Sequence, residues 1–253
     1  MKFDAVILAG GYGKRMWPVT LNIAKPLLPV CGKPVIEYIM EKLSELECVE
    51  HVIVSTNLKF EHDFKEWSRA RMETRIEISV EESSSEEEKL GAVKALSRLS
   101  QQLERDVLVV AGDNLFTGSL RPMVKRYSGK PIIALYDVGD AELAKLYGVV
   151  QIDDEVRIVD FVEKPERPTS TLVSTGIYIF PKQVFEMIGE YLSGGGGRDR
   201  LGDFIQWLYK KTPVYGYILD GEWWDIGDIE SYERAIKTLS RRLADGCKDR
   251  YIP

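Results

Sequence analysis

The spacing of apolar positions changes several times along the chain, and each change marks an element. Phe3–Leu8 is a short run of apolar β-formers, the signature of a buried strand. Val35, Ile36, Ile39, Met40, Leu43 and Leu46 then recur at steps of three and four, which puts them on one face of a helix. Val49–Ser55 reads as a second strand, Glu61–Arg71 as a helix, and Arg75–Val80 alternates as a strand does. Leu90–Leu103 carries a helical stripe at Val93, Leu96, Leu99 and Leu103, and Val107–Ala111 is again short and apolar. Strands alternating with helices predict right-handed βαβ units and a largely parallel sheet covered on both faces. Ligands of such sheets sit beyond the carboxyl ends of the strands, so the loop Gly10–Arg15 and the triplet Gly112-Asp113-Asn114 should share one rim.

The second half is less regular. Pro131–Asp137, Gly148–Ile152, Val156–Val162 and Ser174–Phe180 read as strands, with a hairpin turn at Asp153-Asp154. A helix from Pro181 to about Tyr191, a helix around Asp203–Lys210, a strand at Val214–Leu219 and a closing helix from about Ile229 to Leu243 follow. Two low-complexity stretches, EESSSEEE at Glu81–Glu88 and the glycines 194–197, read as solvated loops.

Composition narrows the classes. A chain of 253 residues with 44% hydrophobic content can fill a large core. A net charge of −6 argues against a broad grip on nucleic acid, and no stretch reaches the roughly 20 apolar residues of a membrane span. Cysteines 31, 48 and 247 are odd in number and lack CxxC spacing, so neither a disulfide framework nor a zinc site is expected, and a reducing cytoplasm is the expected compartment. His51 and His62 do not sit at metal-ligand spacing, which leaves histidine catalysis without a basis.

The candidate chemistry begins with LAGGYGKRMWP, Leu8 to Pro18. A glycine-rich loop leaving a strand can turn its N–H groups toward phosphate oxygens, although a plain tight turn fits Gly10, Gly11 and Gly13 equally well. The loop is neither a Rossmann fingerprint nor a Walker A sequence. Lys14-Arg15 beside it and Lys25 ten residues on, in an acidic protein, point to a di- or triphosphate.

At this point the chain resembles the sugar-1-phosphate nucleotidylyltransferases. LAGGYGKRMWPVT with AKPLLPVCGKPVIEYIMEKL is similar to their N-terminal signature; LGAVKAL at Leu90–Leu96 resembles their nucleoside-binding segment, and AGDN at Ala111–Asn114 their metal-binding strand end. YGVV at Tyr147–Val150, VEKP at Val162–Pro165, STGIYIF at Ser174–Phe180 and WWDIGD at Trp223–Asp228 continue the series in family order. The resemblance implies an α/β, Rossmann-like three-layer fold with a mostly parallel mixed sheet, of the nucleotide-diphospho-sugar transferase type. It also implies one domain over residues 1–253, with a nucleotide half of about 1–115 and a sugar half of about 116–253. The segments after the last helix lack the hexapeptide repeats of a β-helix, so a second activity is not expected.

Carried over by position, the resemblance makes Leu8, Ala9, Gly10, Gly11, Gly13, Lys14, Gly91 and Asp113 nucleotide-binding, with Arg15 and Lys25 catalytic. Tyr147, Gly148, Glu163, Lys164 and Thr175 would bind the sugar phosphate, and Asp113 with Asp225 would hold Mg²⁺. Taken singly, Asp113 could be a turn residue and Asp225 a helix cap. The implied reaction joins an NTP, dTTP or UTP favoured, to a sugar 1-phosphate, glucose 1-phosphate favoured. Guanylyl transfer to a mannose- or heptose-type phosphate is the enzymatic alternative, and a regulatory protein that senses nucleotide sugars the non-catalytic one. A Rossmann oxidoreductase is disfavoured by the glycine spacing. Partners are small molecules, neither nucleic acid nor membrane, with homo-oligomerisation open. Lys14 stands where the family usually has a small hydroxyl residue, and the acidic insert leaves open which of Glu81, Glu82 and Glu86 faces the base.

Overall fold

A computed structural model describes residues 1–69, 71 and 76–242. Arg75 and Leu243, expected at element ends, and Cys247 lie outside them. The first half alternates as its periodicity requires: β1 (Phe3–Leu8), a small ribbon of β2 (Pro29–Val30) and β3 (Lys33–Pro34), α1 (Val35–Ser44), β4 (Val49–Asn57), α2 (Glu61–Arg69), β5 (Ile76–Glu81), α3 (Ala92–Leu99) and β6 (Asp106–Ala111). After β6 come β7 (Asn114–Phe116), α4 (Arg121–Arg126), β8 (Ile132–Asp137), α5 (Ala141–Ala144), β9 (Gly148–Ile152), β10 (Ile158–Glu163) and β11 (Leu172–Phe180). The chain continues through α6 (Val184–Ser193), α7 (Leu201–Leu208), β12 (Tyr215–Ile218), β13 (Trp223–Asp225) and α8 (Ile229–Arg242).

The main sheet runs β10-β9-β11-β6-β1-β4-β5, with β8 beside β11 and β12 beside β8. β1 is parallel to both β4 and β6, and β4 is parallel to β5. β11 is antiparallel to β6 and to β8, so the regular parallel half is joined to a mixed half at the β6–β11 seam. Strand periodicity divides β1 between two cores. Phe3, Ala5 and Ile7 pack with Ile36, Ile39 and Phe64 on one face, whereas Val6 joins Val93, Leu96, Val109 and Phe204 on the other. A third cluster, in which Tyr232, Ala235 and Leu239 of α8 meet Met16, Leu28 and Val35, clamps the closing helix over the first loop.

The stripe expected over Leu90–Leu103 is helical only from Ala92 to Leu99, although Leu103 remains buried in the same core. Two short strands with no readable pattern, β7 and β13, pair antiparallel and set Asp225 opposite Asn114. Cys31 is disulfide-bonded and Cys48 is a free thiol. This corrects the expectation drawn from cysteine spacing, because a bridge depends on proximity in the fold and not along the chain. Cysteine usage accordingly no longer speaks for a reducing compartment. Among the described residues, no helix is long and apolar enough to cross a membrane.

Candidate active site

β1 and β6 end side by side, joined past their ends by the Gly112 amide donating to the Leu8 carbonyl at 2.8 Å. The loop after β1 is held by its carbonyls. Thr56 Oγ1 donates to the Ala9 carbonyl at 3.4 Å, Asn57 Nδ2 to that of Gly10 at 3.0 Å, and Thr20 Oγ1 to that of Gly13 at 2.7 Å. The amides of Gly10, Gly11, Tyr12 and Gly13 meet no acceptor among the described residues. A loop with its carbonyls tied down and four successive N–H groups unused is a concavity for an anion.

The loop opens on a cavity of about 400 Å³. It is lined by Leu8, Gly10, Gly11, Arg15 and Gly91, by Asp113 and Asp225, and by Tyr147, Gly148, Glu163, Lys164 and Thr175. The remaining predicted residues stand elsewhere. Ala9 is buried beneath the loop, and Gly13 turns it at φ +64°. Lys14 points out of the cavity into an ion pair of 2.6 Å with Glu87, so the acidic insert neutralises the unusual cation of the loop. Lys25 stands behind the middle of the cavity, with its ammonium bonded to Asp113 Oδ2.

The β7–β13 ribbon and a bond of 2.9 Å from the Ile226 amide to the Asp113 carbonyl fix the two aspartates relative to one another. Burial and the neighbouring Asp113 charge raise the pKa of Asp225 to about 7, against the pull of Lys25 and Arg15. For Lys25, burial depresses the ammonium, and the Asp113 and Asp225 carboxylates more than offset it, for a net rise. A point beside Gly227 lies 3.0 Å from Asp225 Oδ2 and 3.2 Å from Arg15 Nη2, so the guanidinium converges on the same carboxylate. A buried carboxylate whose ionisation is hindered by its neighbour is short of positive charge, and the oxygens of the two aspartates suit a hard cation that also keeps waters and phosphate oxygens. The residues present therefore fit Mg²⁺. Among the described residues, no cluster of three or more acidic, histidine or cysteine side chains offers a closed metal cage.

Among the residues expected to bind the sugar phosphate, Tyr147 packs edge-on against Trp223, ring centroids 5.1 Å apart. Lys164 takes a left-handed backbone, φ +48°, and its amide donates to the Tyr147 carbonyl at 3.0 Å. A non-glycine residue in that region costs about 1 kcal/mol, a strain typical of functional positions. The Glu163 carboxylate rests over Gly202 in the first turn of α7, where a methyl group would overlap it. Burial pushes its pKa up, with Lys164 opposing. Thr175 spends its hydroxyl on the Ala134 carbonyl at 2.9 Å, so it shapes the wall and offers no free donor proton.

Of the lining residues outside the sequence reading of the site, two bear on its geometry. Trp223 Nε1 donates to Asn114 Oδ1 at 2.6 Å, while the buried Asn114 Nδ2 has no partner among the described residues. The AGDN motif contains Asn114, but only the fold reveals the spare donor. Gly202 is the other: nothing in LGDF indicates that a carboxylate from β10 lies on it. Gly91 is fixed differently, by φ +83° and by an approach to the Asp199 Cα and Arg198 carbonyl oxygen that would put a Cβ at 2.5 and 2.6 Å. No L side chain fits there.

The family model described as nucleotidyl transferase matches residues 4–242. The bifunctional protein GlmU of Methanocaldococcus jannaschii is 33% identical over 227 residues, which cover 88% of this chain and 51% of that protein. The UTP–glucose-1-phosphate uridylyltransferase of Synechocystis sp. is 32% identical over 252 residues, covering 94% of this chain and 64% of that protein. The chain thus spans about half to two thirds of the length of these curated relatives. Among solved structures, a Bacillus anthracis protein assigned as a glucose-1-phosphate thymidylyltransferase, in complex with sucrose, superposes with a TM-score of 0.83 at 27% identity, over 95% of this chain and 96% of that one.

Proposed function

The chain belongs to the nucleotidyl transferase family, and from that premise we propose that it transfers a nucleotidyl group from an NTP to a sugar 1-phosphate, releasing pyrophosphate. One observation carries the reading. The four unused amides of the Gly10–Gly13 loop open on the same cavity as an Arg15–Asp113–Asp225 cluster and an aromatic, carboxylate-bearing end. The triphosphate lies on the loop amides, the sugar between Tyr147, Gly148, Glu163 and Thr175, and the two reacting phosphates meet at the cluster. This keeps the division expected from the sequence, with a nucleotide half of about 1–115 and a sugar half of about 116–253.

In this mechanism an oxygen of the sugar phosphate bonds to the α-phosphorus, the α–β bridging bond breaks, and its electron pair leaves on pyrophosphate. No proton need move, because the nucleophile is already an anion; the lack of a catalytic histidine is consistent with this. Lys25, behind Asp113, and Lys164 hold the α- and sugar phosphates in line. Arg15 donates to the departing oxygens, and the loop amides fix the β- and γ-phosphates. Asp113 and Asp225 would hold Mg²⁺, whose contribution when bound is to neutralise charge on the phosphate oxygens. Glu163 accepts hydrogen bonds from sugar hydroxyls.

The uridylyltransferase and thymidylyltransferase likenesses support dTTP or UTP with glucose 1-phosphate, the pairing that the motifs favour. A cytoplasmic site of action matches the supply of NTPs and sugar phosphates. Pyrophosphate release that requires Mg²⁺, an NTP and a sugar 1-phosphate together tests the reading. Binding of an NDP-sugar without any release would favour the nucleotide-sugar sensor instead.

A further inference from the structure

We propose that a second cavity, walled off from the first by Tyr147 and Trp223, binds a monosaccharide phosphate. The inference goes beyond the nucleotidyl-transfer reading and does not rest on it. The second cavity has a volume of about 240 Å³ and shares Tyr147, Trp223 and Asp225 with the larger one. The shared wall is a fixed partition. Trp223 is 7% exposed and packs on both Tyr136 and Tyr147, with ring centroids 5.7 and 5.1 Å away, while its Nε1 is spent on Asn114 Oδ1. Tyr136 and Trp224 line the second cavity and not the first.

Helix α8 supplies the charge. Arg234 and Lys237, three residues apart and so on one face, both line this cavity. Both are exposed, and neither has an ion pair among the described residues, although Glu230 and Glu233 stand four residues before them on the same helix. The aspartates close by are engaged elsewhere: Asp225 faces Lys25 and Arg15, and Asp228 Oδ1 accepts from the Ser231 amide at 2.8 Å. Burial and the Asp225 charge push the Tyr147 pKa up, and Arg234 opposes them, so this cation acts on the shared wall. Two cations without counter-ions on one cavity, in a protein of net charge −6, call for an anion.

The rings say what carries the anion. A pyranose has a flat C–H face that packs on Tyr and Trp side chains, and its phosphate takes the arginine fork and the lysine ammonium together. Thr238, also in the lining, adds a hydroxyl for the sugar. Size excludes a nucleotide sugar, because the cavity assigned to an NTP and a sugar phosphate together measures about 400 Å³. Inorganic phosphate fits but leaves the aromatic wall unused, and an uncharged sugar leaves both cations unused.

Calorimetry on the full chain tests the site, with glucose 6-phosphate as the probe because it carries no phosphate on C1 to enter the transfer reaction. The expected result is binding with a Kd of about 1 mM or tighter, roughly 10-fold stronger than inorganic phosphate or glucose alone. Replacing both cations, Arg234→Ala with Lys237→Ala, should weaken it by roughly 10-fold or more. Thr238→Trp, which fills the cavity and keeps both cations, should abolish it. Lys164→Ala, which removes the cation expected at the sugar phosphate of the first cavity, should leave it intact. Thermal melts establish that each variant folds, and the pair of surface replacements on α8 decides the matter if Thr238→Trp does not. No binding at about 1 mM overturns the proposal. So does binding lost in Lys164→Ala and kept in the Arg234 and Lys237 double variant, because the probe then sits in the first cavity. Inorganic phosphate that binds as tightly as glucose 6-phosphate overturns it as well, since the rings then contribute nothing.

Discussion

A methyl group on Gly202 would land on the Glu163 carboxylate, overlapping both Cδ and Oε2. Inside a helix, glycine to alanine ordinarily stabilises by about 0.5–1 kcal/mol. Here the residue that carries the carboxylate is itself held, since the Glu163 amide donates to Gln206 Oε1 at 2.9 Å. Overpacking of this kind costs about 1–3 kcal/mol, which cancels or exceeds the helical gain. If Glu163 accepts charge-assisted hydrogen bonds from the sugar, each worth about 1.5–3 kcal/mol, displacing it lowers kcat/KM for the sugar 1-phosphate by roughly 10- to 150-fold. Gly189 in α6 is the control: nothing lies within 4 Å of its would-be Cβ. Gly189→Ala should raise the melting temperature by a few degrees with unchanged kinetics. Steady-state kinetics with varied sugar 1-phosphate at saturating NTP, beside thermal melts, reads both variants. A Gly202→Ala protein as stable as Gly189→Ala and with wild-type kinetics would refute the placement of Glu163 as the sugar's acceptor.

Glu163→Gln separates charge from shape. Burial raises the Glu163 pKa above 4.5, so the stability tied to its neutral form is complete below that value and is lost as pH rises through the folded pKa. The glutamine variant lacks this loss, and its melting temperature relative to wild type should climb as pH rises from about 4.5 through the raised folded pKa, while sugar affinity falls; a flat difference contradicts the burial argument. Asp113→Asn and Asp225→Asn should each abolish Mg²⁺-dependent turnover and the Mg²⁺-induced rise in melting temperature, with the metal-free melt nearly intact. Retained turnover in both removes the two-carboxylate metal site. Arg15→Ala should lower kcat by roughly 10²-fold or more, as expected for one preorganised charge contact, and a change confined to sugar KM would refute its role at the leaving group.

The parallel half of the fold was legible because its elements carry one clear pattern each: β1 as a run apolar but for Asp4, α1 as a three-and-four stripe. The cluster of Arg15, Asp113 and Asp225 was legible only through motif order, since the ribbon that joins them consists of two three-residue strands too short to show alternation. Glu81 and Ser83 were hidden differently. Composition places them in a solvated loop, yet Ser83 is 1% exposed because the Tyr12 hydroxyl reaches across to it. Charge-rich sequence reports average solvation, and a single inward carboxylate within it leaves no periodic trace.

The most direct test of the account follows the oxygens. Sugar 1-phosphate carrying ¹⁸O on its phosphate is turned over with unlabelled NTP and Mg²⁺, and the products are read by ³¹P NMR. Attack of the sugar phosphate on the α-phosphorus predicts all of the label in the NDP-sugar, including the new bridging position, and none in pyrophosphate. Label in pyrophosphate, or an NTP that yields no NDP-sugar with any sugar 1-phosphate, would contradict it.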